Sequence, residues 1–123
     1  MKKMFMVGGA VALALSAVSF SAQAGTEARC KACHSFDNKN MVGPGLGGIY
    51  GKKAGTAEGF QYSDGLKGGK WTWDDEHLKA WLEDSNAAVQ KFSGDANAKS
   101  KMPAQKITGE KADEVITFLK GLK

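Results

Sequence analysis

The chain has 123 residues, 42% hydrophobic and 24% charged, with 17 Lys and Arg against 13 Asp and Glu for a net charge of +4. With no internal repeat, low-complexity tract or interdomain linker, that length allows one modest domain. Two of the surplus lysines sit in the first three residues, so the basic balance argues poorly for nucleic-acid binding.

Residues 1–24 read as an export signal rather than as part of the fold. Lys2 and Lys3 precede an apolar run from Met4 to about Leu15, and Ala22-Gln23-Ala24 supplies a small-residue cleavage site. The run is shorter than a membrane span, although an uncleaved anchor is the alternative. Cleavage after Ala24 leaves a single domain over 25–123, 99 residues carrying 15 basic and 13 acidic side chains, for a net charge of +2. A chain of that size builds a marginal core unless something else fills it.

Next comes Cys30-Lys31-Ala32-Cys33-His34, on a short helix expected to begin around Thr26. C-x-x-C-H is the attachment pattern for covalent c-type haem. Two thiols three positions apart meet the two vinyl groups along one edge of the macrocycle, and the next residue places an imidazole under the iron. Cys30 and Cys33 are the only cysteines. A thioredoxin-like dithiol would need a βαβ setting that the chain lacks, and half of a zinc site would need a second ligand pair. An oxidising compartment favours a Cys30–Cys33 disulfide, so the host must keep the thiols reduced for attachment. Two haem propionates would cancel the +2.

Gly43-Pro44-Gly45 and the glycines up to Gly55 break regular structure, so this stretch is read as loop. Thr72 or Asp74 then caps a helix over about 75–84. Its first turn is acidic, and Leu78, Trp81 and Leu82 fall at i, i+3 and i+4. From 87 to 101 the apolar pattern thins to Val89 and Phe92, which reads as a helical turn followed by a loop. Thr108 opens the last helix, with Ala112, Val115, Ile116, Leu119 and Leu122 forming one stripe and Phe118 at its margin. The pattern is all-α.

The opposite axial position of an iron bound by His34 has few candidates. Met41 lies only seven residues on, too near to pass easily around a macrocycle. Met102 lies 68 residues on, in a loop between the two clear helices. His/Met ligation raises the potential of c-type carriers, and Pro103 stiffens the loop just after the thioether. The bland alternative for Met102 is a gap-filling core methionine. His77, in the first turn of a helix beside acidic residues, is read as a surface histidine.

Together these residues resemble the class I c-type cytochromes, the soluble monohaem carriers of the mitochondrial and purple-bacterial kind. CKACHSF (30–36), VGPGLGGIYGKKAG (42–55), GFQYSD (59–64), Thr72-Trp73, Lys101-Met102 and ADEVITFLKGL (112–122) carry the likeness. The resemblance implies a small cytochrome c fold, three to five helices wrapped with long loops around one covalent haem c. It implies that the Pro44 carbonyl accepts the second ring proton of His34, that Leu46 packs on the haem face, and that Tyr62 and Trp73 hydrogen-bond a propionate.

The sequence also departs from the family pattern. Thr26 stands where an aromatic residue commonly packs against the last helix and Phe118. Lys52 replaces an arginine near the propionates, keeping charge but losing the planar fork. Trp81 occupies a position where the mitochondrial type often has tyrosine, and the segment from Trp81 to Met102 is longer. Met102-Pro103 is more like the smaller bacterial cytochromes.

The resulting expectation is a periplasmic one-electron carrier, not an enzyme, with His34 and Met102 as iron ligands. Its partners would be redox proteins, membrane-bound or periplasmic, with no nucleic acid and no small-molecule substrate, and the chain would be a monomer. Lys39, Lys52, Lys53, Lys99, Lys101 and Lys106 lie near the segments expected to surround the haem and are docking candidates. The alternatives are a ligand-binding or weakly peroxidatic haem protein with a labile Met102, or a redox module tethered to the membrane.

Overall fold

A computed structural model describes residues 25–123, so the expected leader over 1–24 lies outside the described residues. The chain opens with a 3₁₀ helix, Thr26–Ala32. It buries none of its residues and is tethered to the rest by Thr26 N–H, which donates to Glu114 Oε1 at 2.8 Å. At its end the N–H groups of Cys33 and His34 both donate to the Cys30 carbonyl, at 3.1 and 2.8 Å, which tightens the turn that carries the motif.

Residues 33–73 are turns and loops, as the glycines and Pro44 dictate. One antiparallel bridge, Lys53 with Thr72, closes this segment. Ala54 N donates to Trp71 O and Trp73 N to Lys52 O, each at 2.8 Å, so both tryptophans are pinned by the backbone. Gly55 makes that closure possible. It has φ +74°, and a Cβ there would run into the Leu66 carbonyl.

Helix α1 spans Asp75–Glu83, capped by Asp74, whose carboxylate accepts from His77 N. Leu78, Trp81 and Leu82 are its buried face. Burying each is worth about 1.5–3 kcal/mol. Asp84 then ends α1 and caps helix α2, Ser85–Ser93, its side chain accepting from Ala87 N at 3.1 Å. Its extended backbone, φ −154° and ψ 100°, turns the corner between them. The expected single turn in this region is therefore a nine-residue helix. Its buried residues, Ser85, Ala88 and Val89, are too small to make a conspicuous apolar stripe.

Helix α3, Gly109–Lys120, buries Ala112, Val115, Ile116 and Leu119 and packs on both α1 and the N-terminal 3₁₀ helix. Thr108 is its N-cap position but makes no side-chain cap bond. Val89 and Val115 are fully buried. The strip before α3 covers the end of α1: Lys106 N and Ile107 N donate to Glu83 O and Leu82 O at 2.9 and 3.1 Å, satisfying carbonyls a helix end leaves open. Phe118 finds an aromatic partner after all. It is Phe36, just past the haem motif, with ring centroids 4.8 Å apart and edge to face.

Candidate functional site

The two thiols are free and partly buried on the 3₁₀ helix and its end. Burial pushes the Cys30 thiol above its ordinary value, opposed by the charge of Arg29. His34 Nδ1 lies 2.7 Å from the Pro44 carbonyl. A carbonyl only accepts, so this contact places the ring proton on Nδ1 and leaves the Nε2 lone pair for a metal. The loop that supplies Pro44 lies against the ring: Gly43 N donates to Cys33 O at 2.7 Å, and a Cβ on Gly43 would overlap the imidazole. Only glycine leaves room for that approach.

Met102 sits in the loop between α2 and α3, half-buried against the core. Trp81 Nε1 donates to its sulfur at 3.2 Å. The interaction uses one thioether lone pair and leaves the other for a metal. The Met102 main chain is held at both ends, its N–H donating to Ser100 Oγ at 2.9 Å and its carbonyl accepting from Ser85 Oγ at 2.5 Å. Arg29, next to Cys30, donates to both the carbonyl and the side-chain oxygen of Gln105 at 3.2 Å, joining the motif segment to the strand of loop just beyond Met102.

The loop around Tyr62 and the two tryptophans fits a buried carboxylate. Tyr62 Oη accepts from Ala57 N at 2.9 Å, which leaves its own O–H to donate, and burial raises its pKa above the ordinary phenol value. Trp73 is buried, edge to face with Trp71 and Trp81 at 5.8 and 5.1 Å. Beside them, Ser63 Oγ and Trp71 Nε1 are buried polar atoms with no partner. Two orphaned donors in one small core are costly unless an acceptor meets them, and the propionates of a haem are such acceptors. The family resemblance implies this role for Tyr62 and Trp73, whereas the donors left without a partner are Ser63 and Trp71. Nothing in the W-T-W or Y-S stretch tells which donor will lose its partner.

Leu46 packs partly buried against the core. Lys52 is exposed, as are Lys39, Lys53, Lys99, Lys101 and Lys106. Lys101 Nζ reaches the Gln61 carbonyl at 3.1 Å, tying the Met102 loop to the Tyr62 loop. His77 is not the free surface residue its position in the sequence suggests. Its Nδ1 lies 2.7 Å from the Asp74 carboxylate and its ring meets Phe92 edge to face at 4.5 Å, with 22% of the side chain exposed. It serves the cap of α1.

A small helical fold that presents a C-x-x-C-H segment, an imidazole with its far nitrogen free and orphaned donors in its core is that of a c-type haem protein. No family model matches the chain. Over 135 residues, covering all of both chains, it is 37% identical to cytochrome c2 of Rhodospirillum rubrum. Over 106 residues it is 41% identical to a cytochrome c2 of Rhodopseudomonas palustris, covering 77% of this chain and 90% of that one. Among solved structures, cytochrome c2 from Rhodospirillum centenum superposes with a TM-score of 0.71 at 33% identity, over 80% of this chain and 92% of the other. Cytochrome cH from Methylobacterium extorquens gives 0.65 at 42% identity, over 77% and 90%. The chain belongs to the class I c-type cytochromes, in the cytochrome c2 group, and its cofactor is a haem c attached through Cys30 and Cys33.

Proposed function

We propose that the protein is a periplasmic one-electron carrier whose iron is held by His34 and Met102. The haem, when bound, supplies a ferric/ferrous couple. The protein's residues do the rest. Cys30 and Cys33 tether the macrocycle, and the Pro44 carbonyl orients the His34 ring with Nε2 as its free nitrogen. Tyr62, Ser63, Trp71 and Trp73 offer donors to the propionates, Leu46 covers the face, and Lys52 adds positive charge nearby. The exposed lysines 39, 53, 99, 101 and 106 would meet redox protein partners, donor and acceptor, with no nucleic acid or small-molecule substrate involved, and the carrier would act as a monomer.

The observation that carries this reading is the fixation of Met102 at three points, sulfur, N–H and carbonyl. A thioether so held suits closed, six-coordinate iron, which passes electrons with little rearrangement and leaves no site for oxygen chemistry. Carbon monoxide added to the reduced protein at neutral pH tests it. The carrier binds the gas slowly and substoichiometrically, whereas rapid one-to-one binding contradicts a closed site and identifies a ligand-binding protein. Intact mass of periplasmic material tests the localisation: a chain starting at Gly25 plus one haem is expected, and a retained leader points to a membrane-tethered module.

A further inference from the structure

We infer that Ser85 and Asn86, the first two residues of α2, are positioning residues that hold the Met102 thioether in place against competing bases. This rests on the reading of Met102 as an iron ligand. Ser85 is a fully buried polar side chain in an otherwise apolar core, and its hydroxyl donates to the Met102 carbonyl at 2.5 Å. Asn86 acts one link further out. Its Oδ1 accepts from Ser100 N at 2.8 Å, and Ser100 Oγ in turn accepts from Met102 N at 2.9 Å.

Both backbone polar groups of Met102 thus lead back to a single helical turn. That turn is itself anchored, by the Asp84 cap and by the buried Ala88 and Val89. The sulfur is held separately by Trp81 on α1. Withdrawing the thioether by moving the loop requires breaking the Ser85 bond, which would leave the fully buried Ser85 hydroxyl unpaired. The longer segment between Trp81 and Met102 therefore does not loosen the ligand. The helix that restrains it, α2, lies within that segment.

The test is imidazole titration of the ferric holoprotein, followed through loss of the weak near-red band of sulfur-ligated iron. Losing one buried hydrogen bond predicts that Ser85→Ala binds imidazole about two- to tenfold more tightly than wild type. Asn86→Ala shifts in the same direction. Asn86→Asp, which keeps an oxygen for Ser100 N, restores the wild-type value. Gln90→Ala is the control, because Gln90 also ties α2 to the loop, but at Ala98 O (3.1 Å), away from Met102. It lowers stability without changing imidazole affinity.

Wild-type affinity in both Ser85→Ala and Asn86→Ala overturns the inference, and so does an equal effect in Gln90→Ala, which would mean general loosening. If wild-type protein lacks the near-red band before any imidazole is added, the ligation reading itself fails and the inference falls with it.

Discussion

Replacing Trp81 by Phe removes the Nε1–H donor 3.2 Å from the Met102 sulfur while keeping an aromatic ring against Trp73, 5.1 Å away. A hydrogen bond to the thioether draws density from the lone pairs that bind iron. Ferric iron needs that donation more than ferrous iron does, so the bond disfavours the oxidised state and raises the potential. A typical hydrogen bond contributes about 0.5–1.5 kcal/mol. Taking about 0.5–1 kcal/mol as the difference between oxidation states, at tenfold per about 59 mV for one electron, Trp81→Phe lowers the midpoint by about 20–40 mV. Spectroelectrochemical titration measures it, with the near-red band confirming that sulfur stays bound through the Ser85 and Ser100 contacts. An unchanged or raised potential with the band intact refutes the reasoning, because it shows that the indole N–H does not reach the ligand electronically.

Leu82→Ala, at a side chain only 4% exposed, costs about 2–5 kcal/mol in denaturant unfolding of the holoprotein, whereas a loss under about 1 kcal/mol would mean the α1 face is not core. Gly43→Ala drives a methyl into the His34 ring, so the imidazole Nδ1 proton loses its protection against solvent exchange by NMR; retained protection contradicts the close approach. Asp74→Ala removes the α1 cap at a cost of about 1 kcal/mol at neutral pH. The Asp74 carboxyl is held below its ordinary value, first by the His77 backbone N–H, so its contribution is present above an unfolded value of about 3.9 and lost as pH falls through the lower folded one. The variant should therefore show a flatter acid limb below about pH 4 in urea midpoints. Cys30→Ala leaves one thioether, at Cys33, and one unreacted vinyl group conjugated with the macrocycle, so the main visible band of the reduced pyridine haemochrome moves to longer wavelength with the proposed iron ligands untouched; an unmoved band would show that Cys30 forms no bond.

How much of this was readable beforehand depended on whether one residue or many settled the matter. Cys30, Cys33 and His34 are legible because bond chemistry fixes their spacing. Helices α1 and α3 are legible because large apolar residues recur at helical spacing after polar caps. Helix α2 is not, since Ser85 and Ala88 bury by being small and its cap, Asp84, also ends the preceding helix. The 2.7 Å contact between His34 and Pro44 joins atoms ten residues apart and was implied only by resemblance. Which donors lie orphaned, and where Phe118 and His77 find partners, depend on how separate loops meet. Trp71 and Trp73 are equally plausible in the sequence, and only packing leaves the Trp71 nitrogen without an acceptor. His77 differs from its expected exposure because Asp74 and Phe92 close on it together.

The most direct measurement is the near-red absorption of the ferric protein, compared between wild type and Met102→Ala with haem still covalently attached. A closed His34/Met102 carrier predicts the weak sulfur-to-iron band in the wild type and its disappearance in the variant. A band that survives in Met102→Ala, or one that is missing from the wild type, contradicts the ligand assignment.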